Sequence, residues 1–506
     1  MTRLKRLLFL SALCASPALA SGPNAQANVA RSLERARQVE PMVNSVLAFD
    51  PTAMGQAHAF DTSGRRPTLV AGQPILLKDN IEAAGPLPTT AGSLALRNNV
   101  TNRDAPLVAR IRAAGGIVLG KTNLSEWANI RSSNSISGWS ALGGQVRNPY
   151  ALDRNPCGSS SGSGAAVAAG IVRLAIGTET DGSVVCPASI NGIVGLKPTL
   201  GLVSRTHVVP ISSSQDTPGP MTATVREAAA LLSVIAGTDP LDAATAEADR
   251  RKVDYEAALD ANSLSGVRLG VMRFASGFGT DEVLERALAT LRARGATIVE
   301  IKQFDDSAIG ENEFNVLLAE LKSTMADYLK GSPANIPVRS LADVIAFNKA
   351  NAAVELALFD QKTFERAEAT KGVNDSAYRR ARRASYRAAG PNGIDRLLRV
   401  HNVAALIGPT MPPSWKIDAV NGDQIAGGGA SYLAAVSGYP HLSVPMGLVD
   451  GLPVGLSFIG PKWSDARMLS FGYAFEQARG AFPAPRFLGS IEETPEIGRH
   501  LVPLRR

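Results

Sequence analysis

The 506-residue sequence is poor in aromatic residues and in cysteine, and it contains no long apolar run. Phe, Trp and Tyr make up 5% of it, and cysteine occurs three times. After residue 20, no segment reaches the roughly 18 unbroken apolar residues that a membrane-spanning helix requires. Cys157 and Cys186, the two cysteines beyond that point, lack the His and Asp cluster of a zinc site. We therefore expect neither stable membrane insertion nor a bound metal.

The sequence also lacks a strong excess of either charge. Its formal net charge is +7, which falls to +4 without the three cations of residues 1–20. Residues 379–383 (RRARR) form the one dense basic run, and such a run is typical of a solvated helix face. No aromatic interleaving or known motif accompanies it, so we do not expect nucleic-acid binding.

Residues 1–20 have the pattern of a secretory signal peptide. A basic stretch at residues 3–6 precedes the apolar residues 7–10, and Ala18-Leu19-Ala20 is an A-x-A cleavage site. We therefore expect cleavage after Ala20 and an exported protein, periplasmic or secreted. Such a compartment permits a disulfide between the two later cysteines, and two buried free thiols fit the sequence equally well.

Strand and helix patterns alternate through the first part of the chain. The predicted helices are residues 27–48, 105–115 and 165–170, and the predicted strands are residues 73–80, 117–123 and 172–177. This alternation predicts an α/β sheet with helices on both faces. Long, charge-rich helical patterns with few strand signals fill about 280–400. Because no Pro- or Ser-rich tether and no internal repeat occur, we interpret that region as a helical elaboration of one core.

Residues 115–122 (GGIVLGKT) fit the phosphate-binding pattern G-x-x-x-x-G-K-[ST], but their context argues against it. A phosphate cradle needs a flexible turn, after a strand, whose backbone N–H groups converge. Here Ile117, Val118 and Leu119 are strand residues, and a helical pattern precedes them. We therefore do not expect nucleotide binding.

Residues 158–162 (GSSSG) match G-x-S-x-G, the α/β-hydrolase nucleophile elbow, which would make Ser160 the nucleophile. An elbow follows a hydrophobic strand, whereas residues 147–156 are typical of a loop. The downstream histidines that could act as its base have no distinctive setting: His207, His401, His441 and His500. A linker is also excluded, because a small-residue helix and a buried strand follow directly. The run is best interpreted as a Gly/Ser loop at a helix N-terminus, rich in backbone donors and hydroxyls.

Another serine, Ser183, ends residues 177–183 (GTETDGS), directly after a predicted strand. Asp181-Gly182 is turn chemistry, and successive turn amides can converge into an oxyanion hole. A serine in this position can attack a carbonyl carbon if a base lies nearby.

Together these features resemble the amidase signature family. The matching segments are residues 72–80, 158–164, 177–222, 438–447 and 451–456. The resemblance covers most of the mature chain and is weakest in 280–400. It implies one large α/β domain, residues 21–506, in which helices cover both faces of a mixed central β-sheet.

Two residues depart from the wider family pattern, since Ser161 and Asp181 stand where glycine is common. Both departures, with the segments NPCGSSSGS, GTETDGS and VCPA, are similar to the bacterial peptide amidases of the family. The resemblance therefore narrows the expected substrate to the C-terminal amides of peptides.

The resemblance also implies a Ser-cisSer-Lys triad. Ser183 corresponds to the nucleophile, Ser159 to the cis-serine and Lys78 to the base, with a cis peptide bond between Gly158 and Ser159. Ser160 is expected to support this network through hydrogen bonds. The backbone N–H groups implied to form the oxyanion hole are those of Thr180, Asp181, Gly182 and Ser183. No cofactor is implied.

The expected function is hydrolysis of carboxamides through an acyl-enzyme, with release of ammonia. One alternative is a broader fatty-acid or aryl amidase, because residues 280–400 would shape the pocket and are the least readable part. A second is the amidotransferase component that supplies ammonia for misacylated tRNA, which is cytoplasmic and so disagrees with the leader. A third is a non-catalytic binding protein, which the intact Lys78, Ser159 and Ser183 argue against.

Overall fold

The structure of the protein is a computed structural model that describes residues 24–65, 68–277 and 279–502. The expected signal peptide, residues 1–20, lies outside those ranges. Among the described residues, no helix combines the length and the apolar character needed to cross a bilayer.

The centre of the molecule is an 11-stranded mixed sheet in the order β1-β3-β2-β6-β8-β7-β12-β13-β11-β9-β10. A separate hairpin pairs β4 with β5. The strands are β1 Val46–Phe49, β2 Pro74–Lys78, β3 Ile117–Thr122, β4 Trp139–Ser140, β5 Gly144–Gln145, β6 Leu174–Glu179, β7 Val194–Lys197, β8 Thr217–Thr222, β9 Arg268–Met272, β10 Thr297–Ile301, β11 Ala405–Pro409, β12 His441–Val449 and β13 Leu452–Ile459.

The sheet divides into two blocks that follow the chain. The strands before residue 223 lie side by side, and so do the strands after residue 267. The two blocks meet where β7 pairs antiparallel with β12, with Leu196 opposite Leu442.

Helices pack on both faces of this sheet. Those formed by the described residues are α1 Ala25–Val43, α2 Ala53–Thr62, α3 Pro106–Ala113, α4 Ser161–Ala168, α5 Val185–Ile190, α6 Val225–Ile235, α7 Ala248–Arg251, α8 Asp281–Ala293, α9 Gly310–Gly331, α10 Leu341–Ala350, α11 Ala352–Glu355, α12 Lys362–Glu368, α13 Ser376–Ala389, α14 Asp395–His401, α15 Ser431–Ser437, α16 Asp465–Arg479 and α17 Pro495–Leu501.

Strand β2 shows why both faces need cover, because all five of its residues are buried. Ile75 and Leu77 belong to the core cluster that contains α3 and α6 residues, whereas Leu76 belongs to the cluster of α1 and α4. Successive side chains of a strand point to opposite faces. A strand that is apolar throughout therefore requires helices on each side, as the sequence predicts.

Two boundaries differ from the sequence predictions by four residues or more. The predicted helix 27–48 ends at Val43, because Asn44 adopts a left-handed conformation (φ 52°) and its N–H bonds to the carbonyl of Glu40. The next residues form β1, which pairs with β3 at the sheet edge. The predicted helix 165–170 begins earlier, at Ser161, so the Gly/Ser run itself supplies its first turn.

The region 280–400 is mainly helical and also contributes one strand, β10, which extends the sheet next to β9. Helices α9, α10 and α12 form their own apolar cluster with Leu96 and Trp127 of the core. The basic run 379–383 lies on α13, and its arginines are exposed, as expected.

Candidate active site

Two parallel strands bring the predicted lysine to the predicted serine turn. Strand β2 pairs with β6, with Leu77 opposite Ile176, so the carboxyl ends of both strands lie at the same edge. Lys78 is the last residue of β2, and its Nζ lies 2.9 Å from Oγ1 and 3.2 Å from the carbonyl oxygen of Thr178 on β6. The sheet therefore fixes the amine beside the turn that follows β6.

The Lys78 amine also contacts the predicted cis-serine. Its Nζ lies 2.7 Å from Ser159 Oγ, and both side chains have no exposed surface. Burial disfavours the ammonium form and lowers the pKa of Lys78 to about 7, although the charges of Asp216 and Glu179 act in the opposite direction. A large fraction of the amine is therefore neutral near pH 7, so it can accept a proton.

The loop before α4 holds Ser159 in place. The Gly158–Ser159 peptide bond is cis, as the resemblance implies. Ser125 N–H donates to the Ser159 carbonyl at 3.1 Å. A Cβ on Gly158 would lie 2.1 Å from Ser125 Oγ, so only glycine fits between these segments.

Ser160 links the loop to both β6 and the second serine segment. Its N–H donates to the Ser183 carbonyl at 3.1 Å. Its Oγ accepts from the Thr178 N–H and donates to the Thr178 carbonyl, each at 3.1 Å. The Ser160 hydroxyl, which the elbow pattern predicts to be the nucleophile, is thus hydrogen-bonded to the backbone of β6.

Ser183 lies in the turn between β6 and α5 and is 8% exposed. Gly182 has φ 75°, the left-handed region that favours glycine. The Asp181 side chain is exposed, and the Asp181 and Ser183 N–H groups donate to none of the described residues. Within residues 24–65, 68–277 and 279–502, the Ser159 and Ser183 hydroxyls share no hydrogen bond.

Glu179 supports this turn from the end of β6. Its carboxylate accepts hydrogen bonds from the N–H groups of Val184 at 2.9 Å and Val185 at 3.0 Å, and the Gly182 N–H also faces it. Burial raises the pKa of Glu179, while Lys197 lowers it. A carboxylate on the first amides of α5 compensates their unpaired donors, which fixes the start of the helix behind Ser183.

Residues from more distant segments complete the surroundings of the turn. Thr180 Oγ1 donates to Asp216 at 2.6 Å. Gln215 Nε2 donates to the Thr180 carbonyl at 3.2 Å and to Glu313 of α9 at 2.8 Å. Burial and the nearby charge of Asp181 raise the pKa of Glu313 to about 8. The helical elaboration therefore reaches the serine turn through Glu313.

Cys157 and Cys186 form a disulfide, which decides between the two alternatives that the sequence left open. Their Cα atoms are 6.1 Å apart, within the usual range for such a bond. The bond joins the residue before Gly158 to α5.

Sequence reasoning assigned no role to six residues that contact or face the site: Asn80, Thr178, Glu179, Gln215, Asp216 and Glu313. Asn80 Nδ2 donates to Thr178 Oγ1 at 2.9 Å, so this hydroxyl accepts from both Asn80 and Lys78. All of them except Glu313 lie within the segments 72–80 and 177–222, which match the family. The family resemblance therefore marked the segments that contain these five residues. It did not show that the segments lie side by side, which follows from the pairing of β2 with β6 in the sheet.

A cavity of about 470 Å³ adjoins this network and includes Asn80, Thr178, Thr180 and Asp216 in its wall. The residues 115–122 that fit the phosphate-binding pattern instead form strand β3, with Lys121 buried against Asp79. In the described part of the chain, no three His, Cys, Asp or Glu side chains form a group that could hold a metal ion.

Comparison with known proteins identifies the family of this chain. A family model described as Amidase matches residues 27–469. The class is therefore that of the amidases, hydrolases that act on carboxamide C–N bonds. The chain belongs to the amidase signature family.

Three relatives are similar over nearly the whole chain. The solved peptide amidase of Stenotrophomonas maltophilia is 47% identical with a TM-score of 0.87, covering 92% of this chain and 95% of that one. A "Probable amidase" of Arabidopsis thaliana is 38% identical, covering 90% of this chain and 87% of the relative. A glutamyl-tRNA(Gln) amidotransferase component of Exiguobacterium sibiricum is 34% identical, covering 90% of this chain and 95% of the relative.

Proposed function

We propose that this amidase hydrolyses the C-terminal amides of peptides with a Ser-cisSer-Lys triad of Ser183, Ser159 and Lys78. The observation that carries the triad is the 2.7 Å contact between the buried Lys78 amine and Ser159 Oγ. An amine whose pKa is about 7 can act as a base at neutral pH.

In the proposed reaction, Lys78 Nζ takes the proton of Ser159 Oγ while Ser159 takes the proton of Ser183 Oγ. Ser183 Oγ then bonds to the amide carbon, and the same relay returns a proton to the departing nitrogen, which leaves as ammonia. Water attacks the acyl-enzyme and releases the peptide acid. The two serine hydroxyls must close to hydrogen-bond distance once substrate is bound, because such contacts often tighten only in the complex.

The developing negative charge needs donors that are free in the resting enzyme. The Asp181 and Ser183 N–H groups meet this condition among the described residues. With Thr180 and Gly182 they make the proposed oxyanion hole, although the Gly182 amide also faces Glu179. Loss of one such donor typically costs about 3 kcal/mol of transition-state stabilisation.

Identity to the Stenotrophomonas enzyme supports a peptide amide substrate, as do Ser161 and Asp181 at family glycine positions. The fatty-acid or aryl amidase and the tRNA-dependent amidotransferase remain the competing functions, the latter favoured by the 34% identity to the Exiguobacterium protein. Ammonia release from a dipeptide amide, a long-chain fatty amide and glutamine, together with amine release from an anilide, separates them. Preference for any of the last three substrates would overturn the peptide assignment.

The triad is tested with Ser183→Ala, Lys78→Ala and Ser159→Ala, with Ser233→Ala on α6 as a control. We expect each triad variant to lose at least about 10³-fold in kcat, because the three groups act as one unit. A fluorophosphonate should label the wild type at Ser183 and leave Ser183→Ala unlabelled. Normal amide hydrolysis by folded Ser183→Ala or Lys78→Ala would disprove the mechanism.

We also propose that the protein is exported, on the strength of residues 1–20 alone. Expression with the native leader should yield a chain whose first residue is Ser21, which mass spectrometry of the mature N-terminus measures. Recovery of the protein from the cytoplasm with residues 1–20 still attached would contradict the proposed export.

A further inference from the structure

The Cys157–Cys186 disulfide encloses both proposed catalytic serines. Cys157 lies two residues before Ser159, and Cys186 lies three residues after Ser183. The bond closes a loop between positions 29 apart. It therefore joins the two segments whose relative position decides whether the serine hydroxyls can exchange a proton.

Each cysteine is coupled to its serine through a short, ordered stretch of backbone. Cys186 N–H donates to the Gly182 carbonyl at 2.8 Å, which places the cysteine one helical turn beyond the serine turn. On the other side, Ser161 Oγ donates to the Cys157 carbonyl at 2.7 Å, and the Cys157 N–H donates to Asn155 Oδ1 at 2.8 Å. These hydrogen bonds tie each cysteine to the stretch of backbone that carries the neighbouring serine.

Among the described residues, a small set of hydrogen bonds also joins the loop of Ser159 to the strand and turn of Ser183, including the two between Ser160 Oγ and Thr178. Ser160 N–H bonds to the Ser183 carbonyl at 3.1 Å. Asn191 Nδ2 bridges the carbonyls of Pro156 at 2.8 Å and Pro187 at 2.7 Å. No bond links the Ser159 and Ser183 hydroxyls of the described chain, so their alignment depends on the backbones that carry them. A misplacement of about 1 Å can reduce a rate about 10²-fold.

The disulfide is shielded within a small apolar cluster. Cys157 is 5% exposed and Cys186 is 3% exposed, and they pack with Ile190 and Trp415. A bond in this position is poorly accessible to solution thiols and persists while the protein is folded.

We propose that Cys157 and Cys186 are positioning residues for catalysis, whose disulfide sets the distance between the Ser159 and Ser183 hydroxyls. This inference rests on the proposed triad. It assigns the bond a role in the chemical step in addition to its contribution to stability.

The first test compares wild type with Cys157→Ala/Cys186→Ala at a temperature where both are folded by circular dichroism. We expect kcat for a peptide amide to fall at least about tenfold and KM to change less than about threefold, with fluorophosphonate labelling of Ser183 slowed in parallel. The matched control is Ile190→Ala, which weakens packing in the same cluster but keeps the bond. It should lower the melting temperature and retain kcat within about twofold.

The second test restores the bond in the unmutated chain. Protein is unfolded in urea and reduced, one portion is oxidised with diamide, which takes up the two protons and two electrons released as the sulfur–sulfur bond forms, and both portions are refolded. Peptide mapping follows the Cys157–Cys186 link, and we expect kcat to rise at least about tenfold as it forms. The double alanine variant should not respond.

Equal kcat in folded reduced and oxidised protein, or in folded wild type and double variant, would show that the bond only stabilises the fold. A fall in kcat for Ile190→Ala equal to that of the double variant would also overturn the inference. If Ser183→Ala itself kept its activity, the proposed triad would fail instead, so the two failures are distinguishable.

Discussion

At the scale of single residues, the proposed mechanism depends on the protonation state of one buried amine. Lys78 is surrounded by Ser159, Thr178 and the backbone of β6, and none of these groups carries a charge. The nearby charges of Asp216 and Glu179 raise its pKa, but burial has the larger effect and lowers the pKa to about 7. The titration of Lys78 therefore falls near neutral pH, where an ordinary lysine stays fully protonated.

The pKa of Lys78, about 7, predicts the pH dependence of the reaction. Protonation of Lys78 removes the base, so kcat/KM should fall about tenfold per pH unit below pH 7 and level off above it. Initial rates of ammonia release between about pH 5 and 9, in buffers of constant ionic strength, measure this profile. A profile that stays flat on the acidic side of pH 7 would contradict the role of Lys78.

Asp216→Asn should move that profile in a known direction. The Asp216 charge raises the pKa of Lys78, so its removal should shift the inflection to lower pH. The asparagine oxygen can still accept from the N–H groups of Ile211 and Ser212, and its Nδ2 can donate to Thr180 Oγ1, which keeps the serine turn in place. An inflection that stays fixed or moves to higher pH would show that Asp216 does not act on Lys78 electrostatically.

At the scale of elements, the loop before α4 is constrained by what surrounds it. Gly158 touches Ser125, and Ser161 lies next to both. A side chain at 158 would displace the backbone that orients Ser159 towards Lys78. This crowding explains, in terms of space, why a Gly/Ser run that has the composition of a linker forms a tightly packed part of the site.

Gly158→Ala should therefore lower both stability and kcat, and a second substitution that makes room should restore part of kcat. Overpacking typically costs about 1–3 kcal/mol of stability, and we expect kcat to fall at least about 10²-fold as Ser159 moves. Ser125→Ala removes the Oγ that lies 2.1 Å from the new Cβ, so the double variant should recover part of kcat. Activity of Gly158→Ala equal to wild type would disprove the close fit.

The sequence predicted those elements whose signal is local. Strands β2, β3 and β6 appear as apolar runs, and the turn after β6 carries Asp181-Gly182. The segments of the proposed triad could therefore be located in the sequence without knowledge of the fold. Helix α1 was predicted too long because Val46–Phe49 is apolar and continues the helical period. These residues form a strand instead, because they pair with β3. Contacts such as Thr180 with Asp216 depend on tertiary packing, which no local pattern contains.

At the scale of the whole molecule, a buried charged cluster joins the helical elaboration to the core. Arg131 and Glu126 have fully buried side chains, with Arg131 Nε 3.7 Å from Glu126 Oε1. Glu355 of α11 accepts hydrogen bonds from Ser93 Oγ at 2.9 Å and the Leu94 N–H at 2.7 Å. Arg131 also donates to the Glu355 carbonyl. The cluster therefore attaches residues 93–94 and 126–131 of the core to residues 352–355 of the helical elaboration.

Removal of one member should be costly for stability. Glu355→Ala leaves Ser93 Oγ and the Leu94 N–H without their acceptor and the Arg131 charge less compensated, and loss of a buried hydrogen-bond partner typically costs about 1–3 kcal/mol. Urea unfolding followed by circular dichroism should show this loss of unfolding free energy. Glu355→Gln keeps an acceptor for Ser93 and Leu94 and should lose less. Equal stability of Glu355→Ala and wild type would show that the cluster contributes nothing to the attachment.

The two-block order of the sheet has a consequence for how this enzyme could change over time. Lys78, Ser159 and Ser183 all belong to the block that ends at residue 222, whereas Glu313 and Ser431, which approach the serine turn from outside, belong to the later one. Among the described strands, one pairing joins the two blocks. Substitutions in the later half could therefore alter the surroundings of the serine turn while the residues of the proposed triad are inherited unaltered.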